Sequence, residues 1–247
     1  MRVLALGGTG SVGKLVVREA REQGHDVVVL TRKPRRAALA LPSGTRIVKG
    51  DVTTSAGLDE ALDGIDGIVS TLDGDPERTE FNGIRNVLEA LNGRHVYVAL
   101  MSSIAVNNAG RLEVLDWKRR GERLVRASGN DYTIVRPGWF DAQPREHKAV
   151  SFDQEFKVWD ISPGAAAIGR QQIARTLVSA IGNPAANRKT FDLRAVDGDA
   201  PASLDSQFAA LTPDHGGALD GSYDLNDLPL AAEPAAVQQA MADLTRR

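Results

Sequence analysis

Apolar residues in the first half of the chain come in short continuous runs, each followed by a stretch whose apolar positions recur at helical spacing. The runs at 3–6, 27–30, 46–49, 67–71, 96–101 and 133–136 read as strands buried on both faces. The stretches at about 11–23, 56–62, 77–92 and 111–128 read as the helices between them. Strand and helix in alternation predict right-handed crossover units, and hence an α/β protein with a doubly wound parallel sheet. In such a sheet a ligand lies beyond the C-terminal strand ends, near the point where strand order reverses.

The second half loses this rhythm. Residues 139–164 are polar with interspersed aromatics; a helix is expected at about 170–182 and a strand near 190–193. From Pro201 the chain is rich in Asp, Ala, Gly and Pro, with helices expected around 203–211 and 234–245. Residues 211–230 read as consecutive turns, and their acids lack the spacing of a calcium loop. The region has too few large apolar residues for a core of its own. One domain over 1–247 is therefore expected: a core at about 1–138, then a small, less regular segment and tail. The tail is expected on the substrate side of the sheet or against a second copy in a homodimer.

Composition narrows the class. At 247 residues the chain can bury one substantial core, and a net charge of −2 gives no reason to expect a nucleic-acid partner. The absence of cysteine excludes disulfides, thiolate metal sites and a cysteine nucleophile. No apolar run approaches membrane-spanning length, and the N-terminal run reads as a core strand rather than a cleavable signal. A cytoplasmic protein acting on a small molecule, without membrane or metal, is expected.

The chemistry begins at residues 7–13, Gly-Gly-Thr-Gly-Ser-Val-Gly, between the first strand and the first helix. Gly7 permits the tight turn, Gly10 lets backbone approach a pyrophosphate, and Gly13 lets helix and strand pack closely. The first-turn N–H groups and the helix dipole favour phosphate there, so Thr9, Ser11 and Val12 join the candidate binding loop. The second strand ends on Thr31-Arg32-Lys33 where a site selective for NAD carries an acid. A guanidinium bonds a 2′-phosphate that a carboxylate would repel, so NADP(H) is expected over NAD(H), with Arg32 as main contact and Lys33 as helper. The alternative for these cations is a solvated helix start.

The run of motifs resembles the atypical short-chain dehydrogenase/reductases, including their NmrA-like and NAD(P)-binding epimerase-like members. The resemblance covers roughly residues 1–195. It rests on 7–13, Thr31-Arg32, Gly50-Asp51-Val52, Met101-Ser102-Ser103, Lys118 with Glu122, and the stretch from Asp131 to Gly138. It implies a Rossmann-like fold of about seven strands holding a nicotinamide cofactor. It further implies that Asp51, with Val52 beside it, contacts adenine and that Ser70 or Thr71 lines the cofactor path. Pro137 and Gly138 would border the nicotinamide.

Members of this group use Ser, Tyr and Lys, with the Tyr four residues before the Lys. Here Lys118 matches the lysine and Val114 stands in the tyrosine position. Val cannot donate a proton. Ser103, then Ser102, are the remaining candidates to orient a substrate oxygen, and Lys118 is a candidate both for catalysis and for the cofactor ribose. The alternative is strand-end hydroxyls bonding loop backbone and a lysine on an exposed helix face. Asp116 and Tyr132 are weaker proton-carrying candidates, the one read as solvated and the other as packed.

Of the four histidines, His25 and His95 precede strands as turn residues, and His147 is a candidate donor in a substrate lid. Asp214-His215 is a weaker pair. Trp139, Phe140, Phe152, Phe156 and Trp159 could form an apolar wall for a flat substrate, or simply core.

The leading expectation is an NADPH-dependent oxidoreductase passing hydride to a quinone or flavin, whose reduced anion needs no protein acid. The alternatives are a non-catalytic NADP(H)-sensing regulatory protein and, behind it, an NAD(P)-dependent epimerase or dehydratase.

Overall fold

The computed structural model describes residues 1–155, 162 and 166–246. Five strands, each with a following helix, build the first half: β1 (Arg2–Leu6), α1 (Gly13–Glu22), β2 (Asp26–Thr31), α2 (Pro34–Ala40), β3 (Arg46–Lys49), α3 (Leu58–Leu62), β4 (Gly67–Ser70), α4 (Asn82–Ala90), β5 (Tyr97–Met101) and α5 (Glu113–Ala127). There follow β6 (Asp131–Pro137), β7 (Trp139–Phe140), β8 (Ala149–Asp153), β9 (Ala167–Ile168), α6 (Arg170–Ala180), β10 (Lys189–Val196), α7 (Asp205–Ala209) and α8 (Ala235–Thr245). The main sheet runs β3-β2-β1-β4-β5-β6-β10-β8, parallel except for β8, which pairs antiparallel with β10. Strand order reverses between β1 and β4, and the crevice expected from the sequence opens there.

Alternation along the strands sends side chains to two cores. Leu4, Leu6, Val28 and Leu30 pack with α3, α4, α5 and α8, while Val3, Ala5, Val27 and Val29 pack with α1 and α6. Each buried Val or Leu contributes roughly 1.5–3 kcal/mol. The runs that form β1, β2, β4, β5 and β6 are therefore strands covered on both faces, as expected, whereas β3, at the sheet edge, is only partly buried.

Three elements differ from the sequence reading. Residues 34–40 form a helix because Pro34 presets the first turn and Ala37 is buried. The stretch expected as one helix from 77 is a π-helical turn, Pro76–Phe81, followed by α4. The irregular segment contains β8, whose five half-buried residues are too few and too mixed to announce an edge strand.

The tail lies along α4 and α5. Among its residues α8 buries Val237, Met241 and Leu244 there, and the turns before it supply carboxylates to arginines. Arg119 bonds Asp220 (3.0 Å) and Asp227 (3.3 Å); Arg123 bonds Asp220 (2.8 Å) and Glu233 (2.9 Å). Arg136 on β6, fully buried, bonds Glu122 (2.6 Å) and Asp224 (2.7 Å). Those tail acids had no assigned role in the sequence; they neutralise α5 and β6. Asp214, paired with His215 as a weak candidate, is buried in the same network and accepts from the Tyr132 hydroxyl at 3.0 Å and from Thr190 at 2.6 Å.

Candidate active site

The glycine loop follows from what its atoms meet. Gly7 has φ +73°, and a Cβ there would stand 2.4 Å from the Thr71 carbonyl oxygen. A Cβ on Gly13 would stand 2.0 Å from the Gly7 carbonyl oxygen. Both glycines are required by backbone packing. At Gly10 the nearest atom to such a Cβ is the Gly7 oxygen at 3.1 Å, so a side chain would enter the crevice instead. Helix α1 begins without a side-chain cap and without an acid in its first turn. Its N–H groups and positive dipole end are left for an anion.

A cavity of about 440 Å³ opens at these strand ends. Gly7, Thr9, Gly10, Arg32, Asp51, Val52 and Thr71, all expected from the sequence, line it. The Asp51 carboxylate accepts from the Thr53 amide at 2.9 Å and hydroxyl at 2.8 Å. Burial pushes its pKa up, but these bonds and the charges of Arg32 and Arg78 hold it below the ordinary carboxylate value. Arg78, on the π-helical turn, is a second cation of this wall that sequence reasoning missed. Lys33 does not line the cavity; it is exposed, and its amide bonds the Thr31 hydroxyl at 3.2 Å as α2 begins. Val12 turns its side chain into the core, leaving only backbone for a ligand. Ser11 is exposed and accepts from Arg170 at 3.2 Å.

A second cavity, about 460 Å³, lies toward β5 and β6, and Asp73 borders both. Ser102, Ser103, Val114, Lys118, Pro137, Gly138, Trp139 and Phe140 line it together. The chain folds this way because the Ser102 amide bonds the Val135 carbonyl (2.8 Å) and the Ile104 amide bonds the Pro137 carbonyl (3.2 Å). Gly138 is tight against the Ala166 oxygen, which a Cβ would meet at 1.9 Å. Arg170, unremarked in the sequence, sits over the Phe140 ring and also bonds Asp141, tying this wall to the glycine loop.

Several sequence expectations are corrected here. Ser70 does not line the larger cavities: it is wholly buried and faces a small inner cavity with Ser102, Glu80 and Lys118. Lys118, expected to serve the ribose or an oxyanion, is paired with Glu80 at 2.6 Å, while Glu122 serves Arg136. Glu80 had no signal in the sequence, since the π-helical turn alone aims it inward. His147 lines a different cavity with Arg145 and Lys148. Phe152 stacks on Phe191 (4.2 Å) in the core, and Phe156 and Trp159 lie outside the described residues. Asp116 is half-buried and accepts from the Gly110 amide at 3.1 Å. The chain's three tyrosines are engaged elsewhere, Tyr97 with Thr133, Tyr132 with Asp214 and Tyr223 with Thr212.

A glycine cradle, an uncapped helix end, a cation at the end of β2 and two adjoining cavities fit a dinucleotide. Together, fold and crevice define a dinucleotide-binding α/β protein of Rossmann type. The chain belongs to the NAD(P)H-binding family, whose profile matches residues 7–184. It is 29% identical over 200 residues to the photosystem II assembly factor Ycf39 of Synechocystis sp., covering 77% of this chain and 61% of that protein. It is 26% identical over 211 residues to the isoflavone reductase homolog A622 of Nicotiana tabacum, covering 78% of this chain and 68% of that one. Its fold is similar to that of the NADPH-dependent quinone oxidoreductase QOR2 of Escherichia coli complexed with NADPH. There the TM-score is 0.59 at 20% identity, over 83% of this chain and 71% of that one. Among the described residues no helix is long and apolar enough to cross a membrane.

Proposed function

We propose that the chain is an NADPH-dependent oxidoreductase that reduces a small flat acceptor, a quinone or flavin, without the usual tyrosine acid. One observation carries the reading. The cavity beside Pro137 and Gly138 presents Ser103, Lys118 and the Trp139–Phe140 wall, and all three tyrosines are bonded elsewhere. Bound along the crevice, the nicotinamide would supply hydride. Trp139 and Phe140 provide an apolar face for a planar ring and exclude water from it. The Ser103 hydroxyl orients an acceptor oxygen, and the Lys118 charge favours the anion that forms there. Arg32 holds the 2′-phosphate, and the same fit supports NADPH over NADH. The similarity in fold to an NADPH-dependent quinone oxidoreductase supports the acceptor class.

The test is the loss of NADPH absorbance against a panel of quinones and flavins, with Ser103→Ala and Lys118→Ala alongside. Turnover that falls in both variants is the expected result. Turnover of simple ketones with none of quinones or flavins would reverse the acceptor assignment. NADPH binding without turnover of any acceptor would favour a cofactor sensor, a reading supported by the relative named as an assembly factor rather than a reductase.

A further inference from the structure

Glu80 carries a burden that folding does not explain. It is 6% exposed, on the π-helical turn Pro76–Phe81, a rare backbone form that frequently occurs at functional sites. One carboxylate oxygen lies 2.6 Å from Lys118 Nζ; the other, buried, has no hydrogen-bond partner. The hydroxyls of Ser70 and Ser102 are buried and equally unpartnered. These residues and Lys118 line one inner cavity of about 10 Å³, at the lower limit for a single water. Three unpaired polar atoms around one buried ion pair cost stability, and a fold keeps such an arrangement where chemistry needs it. Lys118 also lines the outer cavity with Ser103, Val114 and Pro137, so its ammonium stands between the two.

We propose that Glu80 is a positioning residue: its carboxylate holds the Lys118 ammonium at the crevice wall, ready to give a proton to the acceptor. The inference rests on the reductase reading above. Hydride arriving from the nicotinamide leaves the acceptor as an anion. The Nζ–H bond of Lys118 breaks, its proton goes to that anion, and the neutral amine regains a proton from solvent. One NADPH, one acceptor and one proton thus give NADP⁺ and the fully reduced acceptor. Lys118 from α5 and Asp73 from the loop after β4 are the charges that face Glu80. Burial raises the Glu80 pKa and Asp73 adds to that, while Lys118 and the Gly74 backbone amide oppose both, so the carboxyl lies above its ordinary value.

Two measurements test this. In the protein without cofactor, labelled with ¹⁵N-lysine, the paired Lys118 ammonium gives a protected ¹H–¹⁵N signal, assigned by its absence in Lys118→Arg. Glu80→Gln is expected to abolish it, and its persistence would overturn the proposal. With a quinone acceptor, Glu80→Gln should lower kcat roughly 10- to 100-fold, as loss of a group that orients a reacting one does. The KM for NADPH should stay put and the solvent deuterium effect on kcat should rise. Glu80→Asp should restore part of kcat. Lys118→Arg, which keeps the charge but is too weak an acid to donate, should bind NADPH and lose turnover. An unchanged solvent isotope effect in Glu80→Gln, or full turnover by Lys118→Arg, would overturn the proposal while leaving the reductase standing. No turnover by the unaltered protein would end the reductase reading and the proton transfer with it, and the ammonium signal would still decide whether Glu80 holds Lys118.

Discussion

Helix α5 carries buried arginines on one flank and a half-buried lysine on the other. On one, Arg119, Arg123 and Arg126 each meet two or more acceptors: carboxylates of the tail, the Asn107 amide oxygen and loop carbonyls. On the other, Lys118 meets a single carboxylate whose second oxygen is unpaired, beside two unpaired serine hydroxyls. A buried charge with every bond filled breaks even or gains a little, whereas one with bonds missing only costs. The first flank is an anchor for the tail. The second has the make-up of the site proposed above. Satisfaction of hydrogen bonds, rather than burial or charge alone, separates them.

The comparison breaks most visibly at Arg136, whose guanidinium is fully buried between Glu122 and Asp224. Arg136→Met strands two carboxylates in the interior and should cost about 3–5 kcal/mol. Urea unfolding reads the loss, and a cost below about 1 kcal/mol would mean that the tail anchor is not cooperative. NADPH affinity of the folded fraction should not move.

Asp192 is the exception within the anchor, and its pH dependence sharpens the comparison. It is buried at the register between Arg136 and Asp153, with Oδ1 unpartnered. Burial pushes its carboxyl up to about 7, with the charges of Asp153, Glu122 and Asp224 adding to the rise and Arg136 opposing it. A raised carboxyl favours the fold only while protonated. Its contribution is full below the unfolded value near ~3.9 and is lost as pH rises through about 7. Asp192→Asn should therefore stabilise the protein at alkaline pH by roughly 2–4 kcal/mol, and the gain should vanish near pH ~4. Equal unfolding midpoints for the two proteins at pH ~8 would refute the assignment.

These two cases also mark what the sequence could and could not reveal. Continuous apolar runs such as 27–30 and 96–101 specify parallel strands by themselves, and the glycines at 7–13 specify the loop, because local backbone geometry demands those residues. The pairing of Arg136 with Asp224 joins residues far apart in the chain. The acids at 214–233 read as turn formers since turns use the same residues. Glu80 was invisible for a related reason: ordinary helical spacing would not have aimed it at Lys118, and only the π-helical turn does. Lys118 and Glu122 stand at helix-pair spacing, yet Glu122 bonds Arg136 and Lys118 bonds Glu80. Spacing states what can touch; the competing Arg136 decides what does.

Arg32 sits between the extremes, exposed and lining the cavity without a hydrogen-bond partner among the described residues. Arg32→Ala should leave unfolding unchanged and weaken NADPH by about 1.5–3 kcal/mol, the scale of a bond to a charged group. NADH affinity should barely alter. Isothermal titration with both cofactors reads the difference, and equal losses would show that Arg32 does not hold the 2′-phosphate.

The smallest expected effect is the most discriminating. Ser102, just past the end of β5, and Thr190, on β10, are both buried hydroxyl residues of the main sheet's C-terminal half. Thr190 is bonded at 2.7 Å by Arg126 and bonds Asp214 at 2.6 Å, so Thr190→Val should cost about 1–3 kcal/mol by stranding that Arg126 N–H, while Asp214 keeps its bond from Tyr132. The Ser102 hydroxyl has no partner to lose. Ser102→Ala should then change stability by no more than about 0.5 kcal/mol, or raise it, since an unpaired buried hydroxyl is itself a cost. Turnover should fall nonetheless, because that hydroxyl shares a cavity with Lys118 and Glu80. A Ser102→Ala protein as destabilised as Thr190→Val would place Ser102 with the anchor and dissolve the distinction between the two flanks.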